Sequence, residues 1–217
     1  MGLRFIAAFA AVLLYLAAWA GALLPAALAA RGNDTAILAL TGATLLLAGG
    51  GLLPFLDFVA KRAFRFRGEG PPLPEADLRA LITGIDTLPA PVMVTARKRR
   101  LVATWRYVDA TWWQALSRSG LRKVYELQIK FDDARKRVTL IDVEKSVRWG
   151  TGPTAVWVWG GFFRGIALDY EIGIEWGIKK DLEFGKTGEY RFSAGEIRRP
   201  IMNSILRSGW DVQLGLW

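Results

Sequence analysis

Phe5–Leu24 reads FIAAFAAVLLYLAAWAGALL, twenty residues without a charge, and Ile37–Leu56 reads ILALTGATLLLAGGGLLPFL, twenty more. At 1.5 Å of rise per residue, a helix of either length spans about 30 Å, the thickness of a bilayer core. Two core helices of a soluble protein would each carry a polar face, and neither run has one. The first run also resembles a secretory signal, since it follows Arg4 and Ala27-Leu28-Ala29 has the small residues of a cleavage site. Its length and the second run that follows at once favour a helical hairpin. Only a short polar link, including Arg31, Gly32, Asn33 and Asp34, separates the two.

Cations accumulate on one side of this hairpin. Asp57 closes the second run and Lys61, Arg62, Arg65 and Arg67 follow it, whereas the link holds one Arg and one Asp. The positive-inside rule then puts both termini in the cytoplasm of a cell whose inner membrane holds the hairpin. The four cations anchor the helix end and attract anionic lipid, at roughly 1 kcal/mol per charge. Small residues four apart, Ala17 with Gly21 and Ala39 with Ala43, offer faces for close helix packing.

Composition changes at Gly68, where GEGPPLP breaks both helix and strand. The expected division is a transmembrane hairpin over 1–62, a linker over 63–74 and a cytoplasmic β-rich domain over 75–217. Six cations and two anions precede Gly68, leaving the remainder only mildly basic, with signs that alternate. That pattern argues against a nucleic-acid surface.

In this second region the dominant period is two. Tyr125, Leu127, Ile129 and Phe131 alternate with polar residues, and Asp132–Arg135 supplies a turn before an extended Arg137–Val143. The clearest alternation runs from Ile166 to Ile178. Shorter strands are expected at Val92–Ala96, Leu101–Val108, Ala155–Phe163, Glu189–Phe192 and Trp210–Leu216. Helices are expected from Pro74-Glu75 to Thr83, at Ala110–Arg118 and at Pro200–Arg207, the last two stopped by Ser-Gly. The fold class is therefore α+β: a two-helix hairpin followed by an antiparallel sheet or small barrel with about three short helices. An outer-membrane barrel does not fit, because Trp217 is out of phase with Trp210, Val212, Leu214 and Leu216 and two helical spans have no place in one.

Chemistry-bearing residue types are scarce. The 217 residues include no Cys and no His, which removes disulfides, thiolate metal sites, thiol nucleophiles and the commonest general base. No cofactor is expected, and any bound metal or pigment needs oxygen ligands or another chain. Gly150–Ala155 has the form of a dinucleotide fingerprint but precedes a strand, and Gly185-Lys186-Thr187 lacks the first glycine of a phosphate loop; both read as turns. Asp169 and Glu171 lie about 7 Å apart on one strand face, a spacing open to a carboxylate hydrolase but ordinary for a wet sheet. Asp132-Asp133 and Asp142/Glu144 offer oxygen to a hard cation, beside the plainer reading of turn and surface. Arg97–Arg100 (RKRR) reads as a turn between strands that reinforces lipid contact.

Ala155–Arg164, AVWVWGGFFR, is the least ordinary segment of the domain. One reading is a central strand covered on both sides. The other is an aromatic edge in which Trp157, Trp159, Phe162 and Phe163 meet a partner or lipid headgroups, with Gly160-Gly161 bending the strand. Trp112-Trp113 poses the same question. The sequence thus points to a non-enzymatic accessory or assembly subunit of an inner-membrane complex, with membrane lipids and other subunits as partners. The rivals are a lipid-binding or lipid-sensing β-domain and a membrane-tethered carboxylate hydrolase.

Overall fold

The computed structural model describes residues 2–87, 92–106, 123–149, 156–165 and 194–217. These fall into two compact units, Met1–Phe64 and Arg65–Trp217.

The first unit is a pair of helices, α1 (Gly2–Ala29) and α2 (Asp34–Ala63). Both outrun the uncharged stretches, because the flanking residues keep helical propensity and the charges at the end of α2 are accommodated: Lys61 pairs with Asp57 one turn earlier. The Asn33 side chain accepts from Ala36 N at 3.0 Å and caps α2, and the Phe64 N–H closes its last turn on Ala60 O at 2.9 Å. Pro25 and Pro54 lie inside the helices. Both helices are long and apolar enough to cross a membrane.

Ala17, Gly21, Ala39 and Ala43 are all exposed, so the expected small-residue faces are not where the helices meet. A Cβ on Gly21 would touch nothing within 4 Å. The close approach is at Gly51, where a Cβ would come within 2.8 Å of the Tyr15 hydroxyl. Tyr15 donates to Ala48 O at 2.7 Å and stacks on Phe55 with ring centroids 4.6 Å apart. Tyr15 is half-buried, and its hydroxyl finds a backbone acceptor just before the Gly49–Gly51 stretch.

Among the described residues the second unit is a mixed sheet that does not close, built from β1 (Arg65–Phe66), β2 (Val92–Arg97), β3 (Arg100–Trp105), β4 (Lys123–Asp132), β5 (Arg137–Trp149), β6 (Val156–Gly165) and β7 (Asp211–Leu214). Helices α3 (Glu75–Thr83) and α4 (Ala194–Arg207) accompany it. The strand order is β1-β7-β5-β4-β3-β2, with β6 also on β5. The expected antiparallel sheet or barrel needs correction. The β5–β7 pair is parallel, since the chain crosses through α4 before β7 joins, and β5 takes β7 along 137–140 and β6 along 142–149.

The register puts Val92, Val94, Leu101, Ala103, Trp105, Leu127, Ile129, Val138, Leu140, Val212 and Leu214 on one face, all buried. Leu78 and Ile82 of α3 and Ile197, Ile201 and Ile205 of α4 are buried with them, at helical spacings of four. α3 begins and ends as expected. α4 starts six residues before the expected Pro200, because the Ile197–Ile201–Ile205 stripe continues through the proline; only the bond from residue 200 to Glu196 O is forgone. The expected Ser-Gly stop holds. Gly209 has φ of +78°, and a Cβ there would collide with the Pro71 backbone.

Pro71 belongs to the expected linker over 63–74, and parts of that segment are bonded within the second unit. Residues 65–66 form β1 against β7, Glu69 N donates to Leu206 O at 2.7 Å, and Leu73 N donates to Ser208 O at 2.9 Å. Leu73 O receives the Trp210 indole at 2.8 Å. The prolines and glycines break regular structure yet leave carbonyls and amides for the end of α4 to use. The expected strands at Ile166–Ile178 and Glu189–Phe192 and the helix at Ala110–Arg118 lie outside the described residues, as do Trp112-Trp113, Asp169, Glu171 and the two glycine motifs.

Candidate functional site

The aromatic segment is an antiparallel partner of β5. Trp157 lies opposite Arg148 and Trp159 opposite Ser146, but the next paired residue is Phe162, opposite Lys145, followed by Phe163 opposite Glu144. Gly160 and Gly161 are thus the extra residues of a bulge, at the position where the glycine pair suggested one. The bulge leaves Trp157, Trp159 and Phe163 at register positions facing alternate residues of β5, with Phe162 in the opposite set.

The four cations Lys61, Arg62, Arg65 and Arg67 fall on different elements. Lys61 and Arg62 end α2, and Lys61 is committed to Asp57. Arg65 belongs to β1 and reaches Asp211 with Nε at 3.1 Å and Nη2 at 2.5 Å. Burial raises the Asp211 carboxyl, but the bonds from Arg65 and from Gly68 N outweigh it and hold the group below the usual carboxylate range. Arg65 therefore has a folding partner that sequence spacing could not show, since Asp211 is 146 residues away. Arg67 follows β1 directly.

Asp142, expected at a turn or surface, sits in mid-strand on the helix-covered face and is buried. It accepts from the Tyr125 hydroxyl at 2.6 Å and pairs with the equally buried Arg198 of α4. A carboxylate there is tolerated because both oxygens are hydrogen-bonded and its charge is matched. This is a clamp between sheet and helix. On the opposite face Lys145 reaches Glu126 at 2.6 Å. Asp132 does cap the expected turn: the Arg135 side chain bonds to it and lowers its pKa.

A cationic concavity lies at the other end of the sheet. Arg97 pairs with Arg100 around a two-residue turn, Lys98-Arg99, and Arg100 lies directly opposite Lys130 on β4. These residues and Phe131 line a concavity of about 820 Å³. Lys98 has φ of +44°, a left-handed conformation usually given to glycine in such a turn. Arg100 donates to Gln128 Oε1 at 2.9 Å. Among the described residues, no carboxylate pairs with Arg97, Lys98, Arg99 or Arg100. Phe131 is half-buried, with the Arg79 guanidinium 4.1 Å above its ring and Trp210 edge-on at 6.2 Å. The RKRR run was legible as a turn. Lys130 and Phe131 were not, because only strand register brings them alongside.

Among the described residues no group of three or more Asp or Glu is gathered to hold a metal ion. No protein-family model matches the chain, and no curated protein or solved structure matches it.

Proposed function

We propose that the chain is a non-enzymatic accessory or assembly subunit of a larger inner-membrane complex, anchored by the α1–α2 hairpin with both termini cytoplasmic. The observation that carries the membrane part is surface chemistry. Leu3, Leu38 and Leu46 are 84%, 74% and 78% exposed, and many other large apolar residues of the two helices are exposed with them. Exposed apolar area on this scale needs lipid or protein around it. The aromatic β6, with its bulge beside Trp159, is the segment proposed to meet the partner subunit.

Two experiments test this. The chain has no native Cys, so single-Cys variants report cleanly: Thr35→Cys should react with an impermeant maleimide in intact cells, and Arg135→Cys should not. The reverse pattern overturns the orientation. Trp157→Ala/Trp159→Ala should lose a co-purifying partner while the protein keeps most of its thermal stability. A collapsed melt returns both residues to the core, where each Trp→Ala change costs about 3–5 kcal/mol.

The lipid-binding reading stands second, favoured by the cationic concavity at the β2–β3 turn. Stoichiometric protein surviving mild detergent supports the subunit reading; co-purified lipid without protein supports the other.

A further inference from the structure

We infer that the concavity formed by the β2–β3 turn and the end of β4 binds a phosphate-bearing ligand, its phosphate held by Arg97, Lys98 and Arg99 and its remainder lying against Phe131. The inference is independent of the subunit reading, since a phosphate can occupy this site whether or not the chain has a protein partner.

The first argument is electrostatic. Like charges directly opposite one another across strands are destabilising, and here two such pairs are adjacent, Arg97 with Arg100 and Arg100 with Lys130. Two further cations fill the turn between them. Elsewhere among the described residues, several surface cations do have carboxylates beside them: Arg79 has Glu75, Arg135 has Asp132 and Lys136 has Asp133. An anion delivered from outside would be attracted by Arg97, Lys98 and Arg99, which pair with no carboxylate among the described residues.

The second argument is steric. Lys98 holds a left-handed backbone at φ +44°, where glycine would be easier. Lys136 holds the same φ but is paired with Asp133, whereas Lys98 carries its charge at the tip of the turn with no carboxylate beside it among the described residues. The third argument is shape. A concavity of about 820 Å³ falls in the range of small-molecule sites, roughly 300–1,000 Å³, and exceeds what a bare ion needs. Guanidinium groups match phosphate oxygens in bidentate geometry, and an aromatic wall beside them suits the organic part of a phosphate ester.

Such a phosphate can come from a soluble ester or from a lipid headgroup, and one experiment separates them. The full chain, reconstituted in phosphatidylcholine nanodiscs, is melted with glycerol phosphate, and separately in nanodiscs containing phosphatidic acid. Sodium chloride at matched ionic strength is the control. A thermal shift with glycerol phosphate identifies a soluble ligand; a shift with phosphatidic acid alone identifies a headgroup. The variant Lys98→Gly/Arg99→Gln removes two cations while easing the turn, so its melt without ligand should equal or exceed that of the wild type. Its response should weaken at least about tenfold, the loss of one or two charge-assisted hydrogen bonds. Arg97→Gln, outside the turn, provides the same measurement should the double variant fold poorly. No shift with either phosphate, an equal shift with chloride, or an undiminished response in the variants overturns the assignment.

Discussion

Asp211 opens β7 and accepts three hydrogen bonds, two from Arg65 and one from Gly68 N at 3.1 Å. Its carboxyl is held below the ordinary range, so its contribution to stability is present above the unfolded pKa near ~3.9 and is lost as pH falls through the lower folded value. Asp211→Asn should therefore cost about 1 kcal/mol at neutral pH, a figure kept small because the Arg65 side chain is 40% exposed. The deficit should shrink towards zero in acid, as the wild type loses what the variant never had. Urea melts at pH 7 and at pH 3 measure it, and a deficit equal at both would show that Asp211 acts through packing alone. The same residue explains a limit of sequence reading. Arg65 read as one of four cations beside the second helix, and only β1–β7 pairing shows that it also bonds to Asp211.

Among the elements, the helical hairpin carries the sharpest test. Composition identified the helices, but the small-residue rule chose Ala17, Gly21, Ala39 and Ala43, because Ala-rich segments offer such spacings on every face. The fold uses Gly51 under Tyr15, where a polar atom needs a backbone acceptor. Tyr15→Phe should destabilise the helix pair by about 0.6 kcal/mol, the typical interhelical hydrogen bond in a membrane. Gly51→Ala should cost more on its own, since its Cβ displaces the hydroxyl, and little in the Tyr15→Phe background. Unfolding in mixed detergent micelles reads the cycle. Additive costs would mean that the two residues do not meet. α3 was legible because Pro74-Glu75 opens it locally with acidic residues in its first turn. The start of α4 was not, because Pro200 is a strong local stop signal and the apolar stripe that overrides it gains its energy only from the sheet beneath.

For the whole molecule, the boundary between units has a direct consequence. A fragment starting at residue 75 keeps every strand expected from the sequence but discards β1, the Leu73 carbonyl that receives the Trp210 indole, and the segment packed under Gly209. The fragment 65–217 should unfold cooperatively with a strand-rich circular dichroism spectrum, and the fragment 75–217 should melt lower by several degrees or fail to fold. Equal melting of the two would show that 65–74 is the linker its composition proclaims.

What the sequence by itself determined was local or periodic: two apolar helices, the period-two strands that fall within the described residues, the helix at Glu75, the turns at Lys98 and Asp132, and the Gly160-Gly161 irregularity. Each follows from burial patterns or backbone preferences that act within a few residues. What only the tertiary structure decided was long-range. The parallel docking of β7 on β5, the Asp142–Arg198 clamp, the pairing of 65–66 with β7 and the placing of Arg100 opposite Lys130 all join residues dozens of positions apart. Side chains on one strand carry no mark of the strand that will lie beside them. Register assigns that neighbour, and register is set by the sum of the apolar face rather than by any residue in the pair.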